Sequence, residues 1–229
     1  MRLIQVEVGH MQNFNYLAGC GQTGEAALVD PAWEVDRMLE RAAAEGLVVT
    51  HLLVTHTHHD HVEGLASAWS RTGAMIHVHE LEAPAAAACL RAQGEDAGAT
   101  AIREVVDGSV IDVGSLAIRV MHTPGHTPGA VCYLVPRGVI TGDTLFVGRC
   151  GRTDFPGSDP EAMYLSLRRL SELPDDTIVY PGHNYADWPT STIVRERTSN
   201  VHMSAPDREE FLRRRMGTRY ISRIGGTRR

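Results

Sequence analysis

A cluster of histidines behind an apolar run is the part of this sequence best suited to chemistry. Five of the twelve histidines lie within residues 51–61, and four of them directly follow residues 48–54, which read as a strand buried on both sides. Residues 56–61 fit the pattern H-x-H-x-D-H, with His59 in a variable position. In an extended segment His56 and His58 point the same way, because side chains alternate with a period of two. Neutral imidazole and carboxylate ligands suit zinc, iron or manganese, so the pattern predicts a metal site.

Three later residues of ligand type each lie in a glycine-containing turn at the end of a predicted strand. His126 lies in TPGHTPG, Asp143 in ITGDT and His183 in YPGHNY. Glycine lets the backbone approach a ligand closely, and proline makes a turn rigid. Because they follow the histidine cluster in this order, we expect these three residues to join it.

A second motif, G-x-G-x-x-G at residues 19–24, is typical of dinucleotide binding. That function requires a strand that leads into a helix, whose amides then face the pyrophosphate. Residues 25–30 read as another strand, so we interpret the glycines as a hairpin turn.

The composition is that of an ordinary globular protein. The chain has 229 residues, of which 43% are hydrophobic and 22% charged, and this excludes collagen, disordered chains and coiled coils. We expect one domain over residues 1–229, with a short basic helix and tail over about residues 207–229. The four cysteines form no C-x-x-C pair, and there is neither a signal-peptide pattern nor an apolar run that could span a bilayer. We therefore expect a cytoplasmic protein with no membrane partner.

Predicted strands and helices alternate loosely along the chain, which favours an α/β or α+β class with layered sheets. The alanine-rich stretch 83–101 is predicted to be a helical excursion. Asp159 precedes one predicted helix as a plausible N-cap. Further predicted helices cover residues 34–45, 62–70, 160–170, 191–198 and 207–216.

The ligand-type residues, taken in order, resemble those of the metallo-β-lactamase superfamily over roughly residues 3–200. This resemblance implies a four-layer αββα sandwich with two metal ions at one edge of the sheets. It also implies which residues hold them: His56, His58 and His126 for the first metal, Asp60, His61 and His183 for the second, and Asp143 as a bridge.

Within the superfamily, the chain is most similar to the glyoxalase II (hydroxyacylglutathione hydrolase) and persulfide dioxygenase branches. Residues 142–146 and 150–152 are typical of that group, and Arg152 and Tyr185 match residues that contact glutathione in glyoxalase II. The first hypothesis is a hydrolase with two zinc ions, acting on a thioester such as an S-acylglutathione. A metal-bridging hydroxide would attack the carbonyl, and Asp60 would orient it. A thiolate leaving group needs little help from a general acid.

The second hypothesis is a persulfide dioxygenase that oxidises glutathione persulfide with one iron, held by His56, His126 and Asp143. A mixed zinc, iron or manganese site is the third possibility for the metal. The chain departs from both branches. The dioxygenases usually have alanine where this chain has His59. Only 46 residues follow His183, so we expect the sizeable C-terminal helical domain of glyoxalase II to be absent or much reduced.

The C-terminal segment 208–229 carries eight arginines against two glutamates. A basic tail can bind nucleic acid, but we favour a solvated terminal helix. The expected partner is therefore a small thioester or glutathione-derived substrate rather than nucleic acid or a β-lactam. A homodimer is left open.

Overall fold

The computed structural model describes residues 1–95 and 101–217. Its first sheet begins with an antiparallel meander of three strands and continues with parallel strands joined by helical crossovers. The strands of this sheet are β1 (Arg2–Val8), β2 (Asn13–Gly19), β3 (Glu25–Val29), β4 (Val48–Leu53), β5 (Met75–His79) and β6 (Ile102–Val105). They lie side by side in chain order. The β2–β3 pairing confirms that residues 19–24 form a hairpin turn and not a dinucleotide loop.

The second sheet also has six strands, and a short hairpin follows its fourth strand. The strands of the sheet are β7 (Val110–Val113), β8 (Leu116–His122), β9 (Val131–Val135), β10 (Gly138–Gly142), β13 (Ile178–Pro181) and β14 (Ser191–Thr192). They lie in the order β14-β13-β10-β9-β8-β7, and only β10 and β13 pair in parallel. The hairpin consists of β11 (Leu145–Phe146) and β12 (Arg149–Cys150).

Helices cover the outer faces of the two sheets. They are α1 (Val35–Ala44), α2 (His59–Val62), α3 (Leu65–Thr72), α4 (Ala83–Ala92), α5 (Pro160–Leu170), α6 (Ile193–Ser199) and α7 (Arg208–Met216). Helix α5 begins where predicted, because Asp159 accepts hydrogen bonds from the amides of Glu161 and Ala162. Residues 96–100 of the alanine-rich stretch and residues 218–229 of the predicted tail lie outside the described residues.

The predicted helix at residues 62–70 is instead divided between α2 and α3. The division lies at Gly64, whose amide donates to the carbonyl of Pro31 at 2.9 Å. A Cβ at this glycine would lie 2.7 Å from the carbonyl oxygen of Ala32, so the close approach requires glycine. The chain thus turns sharply beside the histidine cluster.

Three apolar clusters separate the layers. Met38 and Leu90 pack between the helices and the outer face of the first sheet. Tyr16 and Tyr133 lie between the two sheets. Phe211 belongs to the cluster between the second sheet and helices α5 and α7. The layer order is therefore helix, sheet, sheet, helix, which confirms the predicted αββα sandwich. Across the described ranges, no helix is long and apolar enough to cross a bilayer.

The two sheets meet at the edge where β4, β10 and β13 end. Just beyond β4, the carbonyl of Thr55 accepts from the amide of Val131 at 2.9 Å, which ties the first sheet to the second. At the end of β13, the carbonyl of Gly182 accepts from the amide of Phe14 at 2.8 Å. Ligands of layered α/β proteins commonly bind beyond the carboxyl ends of strands, so a functional site is expected at this edge.

Candidate metal centre

The structure brings all seven predicted ligand residues together at this edge. His56 and His58 follow β4, and Asp60 and His61 lie in the short helix α2. His126 lies in the turn between β8 and β9. Asp143 follows β10, and His183 follows β13. The ligands therefore come from both sheets, although they are far apart in the sequence.

Distances between the side chains are short enough for shared ions. His58 Nδ1 lies 2.8 Å from His126 Nε2, and His61 Nε2 lies 3.2 Å from His183 Nε2. Asp143 reaches both halves of the cluster, with Oδ2 3.5 Å from His126 Nε2 and Oδ1 3.2 Å from His61 Nε2. Three groups have ligand atoms within 4.8 Å of one another, and these are His56, His58 and His126; His56, His61 and Asp143; and Asp60, His61 and His183.

The buried atoms of the cluster fit metal ions. His56 is only 1% exposed, yet its Nε2 has no hydrogen-bond partner among the described residues. A buried polar atom without a partner is costly, and the lone pair of a neutral imidazole nitrogen is a metal ligand. The set of five histidines and two aspartates is a nitrogen and oxygen donor set, which zinc, iron and manganese accept.

Neighbouring groups fix the orientation of several ligands. His61 Nδ1 lies 3.0 Å from Asp30 Oδ2, and His183 Nδ1 lies 2.9 Å from the carbonyl oxygen of Met11. His126 Nδ1 lies 2.8 Å from the carbonyl oxygen of Arg152. In each case the contact leaves Nε2 facing the centre of the cluster, which is the usual arrangement around a metal.

Sequence reasoning missed two polar residues that support the centre. Asp30 accepts from the amide and the hydroxyl of Thr55, both at 2.7 Å, in addition to its contact with His61. Asn13 donates to Asp60 Oδ2 at 3.1 Å. The signal for Asp30 in the sequence was its place between a strand and Pro31. In the structure this residue adopts a φ of 49°. Asn13 offered no such signal.

Charges within the cluster keep its carboxylates ionised. Burial raises the pKa of Asp60, but the hydrogen bond with His183 and the charge of His61 outweigh it and hold the pKa below its ordinary value. Burial lowers the pKa of His183, whereas hydrogen bonds to Asp143 and Asp60 raise it to about 9. Burial also lowers the pKa of His56, so its ring is neutral. Two ionised carboxylates beside a neutral imidazole favour a bound cation.

The glycines predicted to allow close approach do so in all three turns, and in the turn before Asp143 a Cβ at Gly142 would lie 2.5 Å from Thr55 Oγ1. A Cβ at Gly182 would lie 2.5 Å from Asp143 Oδ1. Gly125 has a φ of 141°, and a Cβ there would lie 2.5 Å from the amide nitrogen of Met163. Side chains at Gly182 and Gly125 would displace the adjoining His183 and His126.

A pocket of about 440 Å³ opens onto the cluster. Phe155 forms one wall and contacts the rings of His58 and His126 edge-on, with centroid distances of 5.3 and 6.0 Å. Phe146 and Met11 add further apolar surface. None of these three residues was predicted to line a pocket, although Phe146 lies in the stretch 142–146 that is typical of the two branches.

The two predicted substrate contacts, Arg152 and Tyr185, both line this pocket. The Tyr185 ring stacks on His183 with centroids 4.5 Å apart, and the residue is 50% exposed. The guanidinium of Arg152 donates from Nε and Nη2 to Asp154, at 2.9 and 2.8 Å, and lies 4.2 Å from the centroid of the Phe155 ring. Its Nη1 is not used in these bonds.

The other histidines lie outside the three ligand groups found among the described residues. His59 is on the pocket rim with its side chain 71% exposed, and its Nδ1 lies 3.9 Å from Asp60 Oδ1. The remaining histidines are His10, His51, His77, His79, His122 and His202.

Comparison with known proteins agrees with this site. Residues 9–183 match the metallo-beta-lactamase superfamily. Since this range covers most of the chain and all seven candidate ligands, the chain belongs to the metallo-beta-lactamase superfamily. It is a metal-dependent enzyme of that superfamily.

Individual relatives carry two different activity names. The hydroxyacylglutathione hydrolase of Polaromonas sp. strain JS666 is 38% identical, over 77% of this chain and 64% of its own length. This chain thus spans less than two thirds of that relative. The human mitochondrial persulfide dioxygenase ETHE1 is 31% identical, over 87% of this chain and 74% of its own length. The crystal structure of ETHE1 from Myxococcus xanthus has a TM-score of 0.81 and 35% identity, covering 92% of this chain and 88% of that chain.

Proposed function

We propose that this protein is a hydrolase with two metal ions that cleaves thioesters of the S-acylglutathione type. The observation that carries the proposal is the complete second ligand group of Asp60, His61 and His183, which is buried beside the first. An enzyme that used one ion at His56, His126 and Asp143 would not need this second group.

In this proposal His56, His58 and His126 hold one ion, and Asp60, His61 and His183 hold the other. Asp143 contacts both groups and bridges them. Two zinc ions held there supply Lewis acidity, which polarises a carbonyl and lowers the pKa of water to about 7.

The residues of the chain contribute orientation and exclusion of water. Asn13 and His183 hold the ionised Asp60 carboxylate at the pocket, where it can orient a water molecule by accepting a hydrogen bond from it. Phe146 and Phe155 provide apolar walls against which the acyl group can pack. No general acid is required, because a thiol of pKa near 8.5 is a good leaving group.

The glutathione part of the substrate would extend towards Arg152 and Tyr185 on the pocket rim. Arg152 uses Nε and Nη2 to bind Asp154, and its Nη1, which takes no part in these bonds, can bind a substrate carboxylate. The exposed half of Tyr185 offers a hydroxyl and a ring face to a peptide.

The test is a hydrolysis assay of the purified protein loaded with two equivalents of zinc, with S-lactoylglutathione and other acyl thioesters as substrates. We expect release of free thiol. Asp60→Asn should reduce kcat, whereas Asp112→Asn on the exposed part of β7 should not. Zinc-loaded protein that leaves every thioester intact would overturn the proposal.

Persulfide oxidation by a single iron is a second candidate, favoured by the extent of the structural match. The chain and ETHE1 from Myxococcus xanthus cover 92% and 88% of each other, whereas the chain covers only 64% of the Polaromonas hydrolase. Oxygen uptake by iron-loaded protein with glutathione persulfide would support this candidate.

His183→Ala separates the two candidates. This variant removes a ligand of the second group only, so it should abolish hydrolysis that needs two ions. Oxidation at His56, His126 and Asp143 should largely survive it. Loss of oxygen uptake down to the level of the metal-free protein would count against the dioxygenase.

A further inference from the structure

Glu82 is a buried carboxylate next to the metal centre, but it is not one of the candidate ligands. It lies between β5 and α4 and is only 5% exposed. Within the described residues it forms no ion pair. Its hydrogen bonds explain how the structure accommodates the charge.

Three donors converge on this carboxylate, and they come from two different loops. Oε2 accepts from the amide of Thr57 at 3.1 Å and from the hydroxyl of the same residue through a short hydrogen bond. Oε1 accepts from the amide of Gly129 at 3.1 Å. Thr57 stands between His56 and His58, and Gly129 ends the turn that contains His126. One carboxylate therefore joins the two loops that supply the first ligand group.

The fit around this carboxylate is tight. A Cβ at Gly129 would lie 2.6 Å from Glu82 Cγ, so the turn can approach only because it has no side chain there. His58 Nδ1 and His126 Nε2, on the two joined loops, lie 2.8 Å apart. A small shift of either loop would change that separation directly.

The chemistry of the three donors requires a carboxylate at this position. An ionised carboxylate only accepts hydrogen bonds, and here it faces two backbone N–H groups and one hydroxyl. A glutamine side chain has one accepting oxygen, so its NH₂ group would face an N–H donor in one of the loops. The buried donor left without an acceptor would favour separation of the loops.

We infer that Glu82 is a positioning residue of the metal centre, which holds His56 and His58 at the correct distance from His126. The inference depends on the metal-site part of the proposed function but not on the reaction, because Glu82 contacts neither the pocket nor a ligand side chain.

The experiment compares Glu82→Gln with Glu80→Gln, which removes the same charge from an exposed neighbour. Zinc affinity is measured without substrate by titration against a chelator that resolves two binding steps. Partners that orient metal ligands typically contribute about 10- to 100-fold to affinity. We expect a loss of that size for Glu82→Gln in one step only, and wild-type values in both steps for Glu80→Gln.

Two outcomes would overturn the inference: unchanged zinc affinity in folded Glu82→Gln protein, or an equal loss in both steps. If Glu82→Gln does not fold, Thr57→Val provides the same test, since it removes the hydroxyl donor and keeps the backbone bonds. We expect Thr57→Val to weaken the same step by a smaller factor, and unchanged affinity in this variant would also contradict the inference. Because no substrate is used, failure of the proposed hydrolysis would leave these results interpretable.

Discussion

Two H-x-H pairs lie next to each other in this molecule, and their surroundings differ. His56 and His58 follow the end of β4, whereas His77 and His79 lie within the adjacent parallel strand β5. The first pair faces other ligand-type side chains. In the second pair, His77 stacks on His51 with centroids 5.3 Å apart, and neither of its ring nitrogens has a hydrogen-bond partner in the part of the chain that the structure describes.

The difference indicates that nearby carboxylates and a position at a strand end, rather than histidine spacing, distinguish the candidate metal centre from the second pair. Burial, together with the charges of His51 and Arg103, lowers the pKa of His77 to about 4. At His183 the carboxylates outweigh burial and raise the pKa to about 9. The pKa of a buried histidine is thus lowered where no aspartate is in contact with it, and raised where aspartates are in contact with it.

The strongest test replaces one member of each pair. His58→Ala should lose the first ion and reduce turnover more than about 100-fold, since even partners that only orient ligands contribute that much. His79→Ala should keep its metal content and turnover, because His79 stacks on His122 instead, with centroids 4.1 Å apart. Metal analysis and kcat measurements check both variants. Equal metal loss in the two would show that the second pair also belongs to the centre.

Acid should destabilise the protein partly through His77. Its pKa is about 4 in the folded protein, below the ordinary value near 6.5, so its contribution to stability is present above pH 6.5 and is lost as the pH falls towards 4. Complete protonation would cost about 3 kcal/mol of unfolding free energy. Urea unfolding of chelator-treated protein between pH 7 and 4 measures this cost. His77→Phe should lose less stability than wild type over that range, and parallel curves for the two proteins would refute the assignment.

Of the two H-x-H pairs, only the first should contribute to the loss of stability on removal of metal. With free zinc at 100 times its dissociation constant, binding stabilises the folded state by about 2.7 kcal/mol. Thermal unfolding with zinc and with chelator should therefore differ for wild type and for His77→Phe. The difference should shrink in His58→Ala. A full zinc response in His58→Ala would mean that the second ligand group accounts for all of the stabilisation.

The smallest expected effect comes from giving the second pair a carboxylate. Arg103 lies opposite His77 in the register between β5 and β6 and is exposed. Arg103→Glu should raise the pKa of His77 by less than about one unit, because it replaces a repelling charge by an attracting one near the surface. NMR titration of the imidazole measures the shift. A decrease in the pKa would be incompatible with repulsion between Arg103 and His77.

The local parts of this structure could be predicted from the sequence. The cap at Asp159, the hairpin at residues 19–24 and the ligands in glycine-containing turns all follow from short patterns. The class with layered sheets followed from the alternation of predicted strands and helices, and the four-layer αββα sandwich followed from the resemblance that the ligand motifs carry. The division of the helix at Gly64 was not predicted, because its cause is the backbone around Ala32 on another part of the chain.

Supporting contacts of the site were beyond prediction for the same reason. Asp30 and His61 meet only after the first sheet and its crossovers have formed, and Asn13 reaches Asp60 from β2. Phe155 became a pocket wall through its place beside His58 and His126. The strand end and proline beside Asp30, and the sequence around Asn13 and Phe155, do not indicate which distant residues these side chains contact.

The candidate ligands lie on both sheets, and this placement affects the entropy of unfolding. An ion held by His56 and His126 would link the first sheet to the second, in addition to the bond between Thr55 and Val131. Such a link closes a long loop of the chain. Closing a loop lowers the conformational entropy of the unfolded chain, and the loss is larger for a long loop than for a short one. The ions would thus act as reversible crosslinks that make the two halves of the sandwich unfold together.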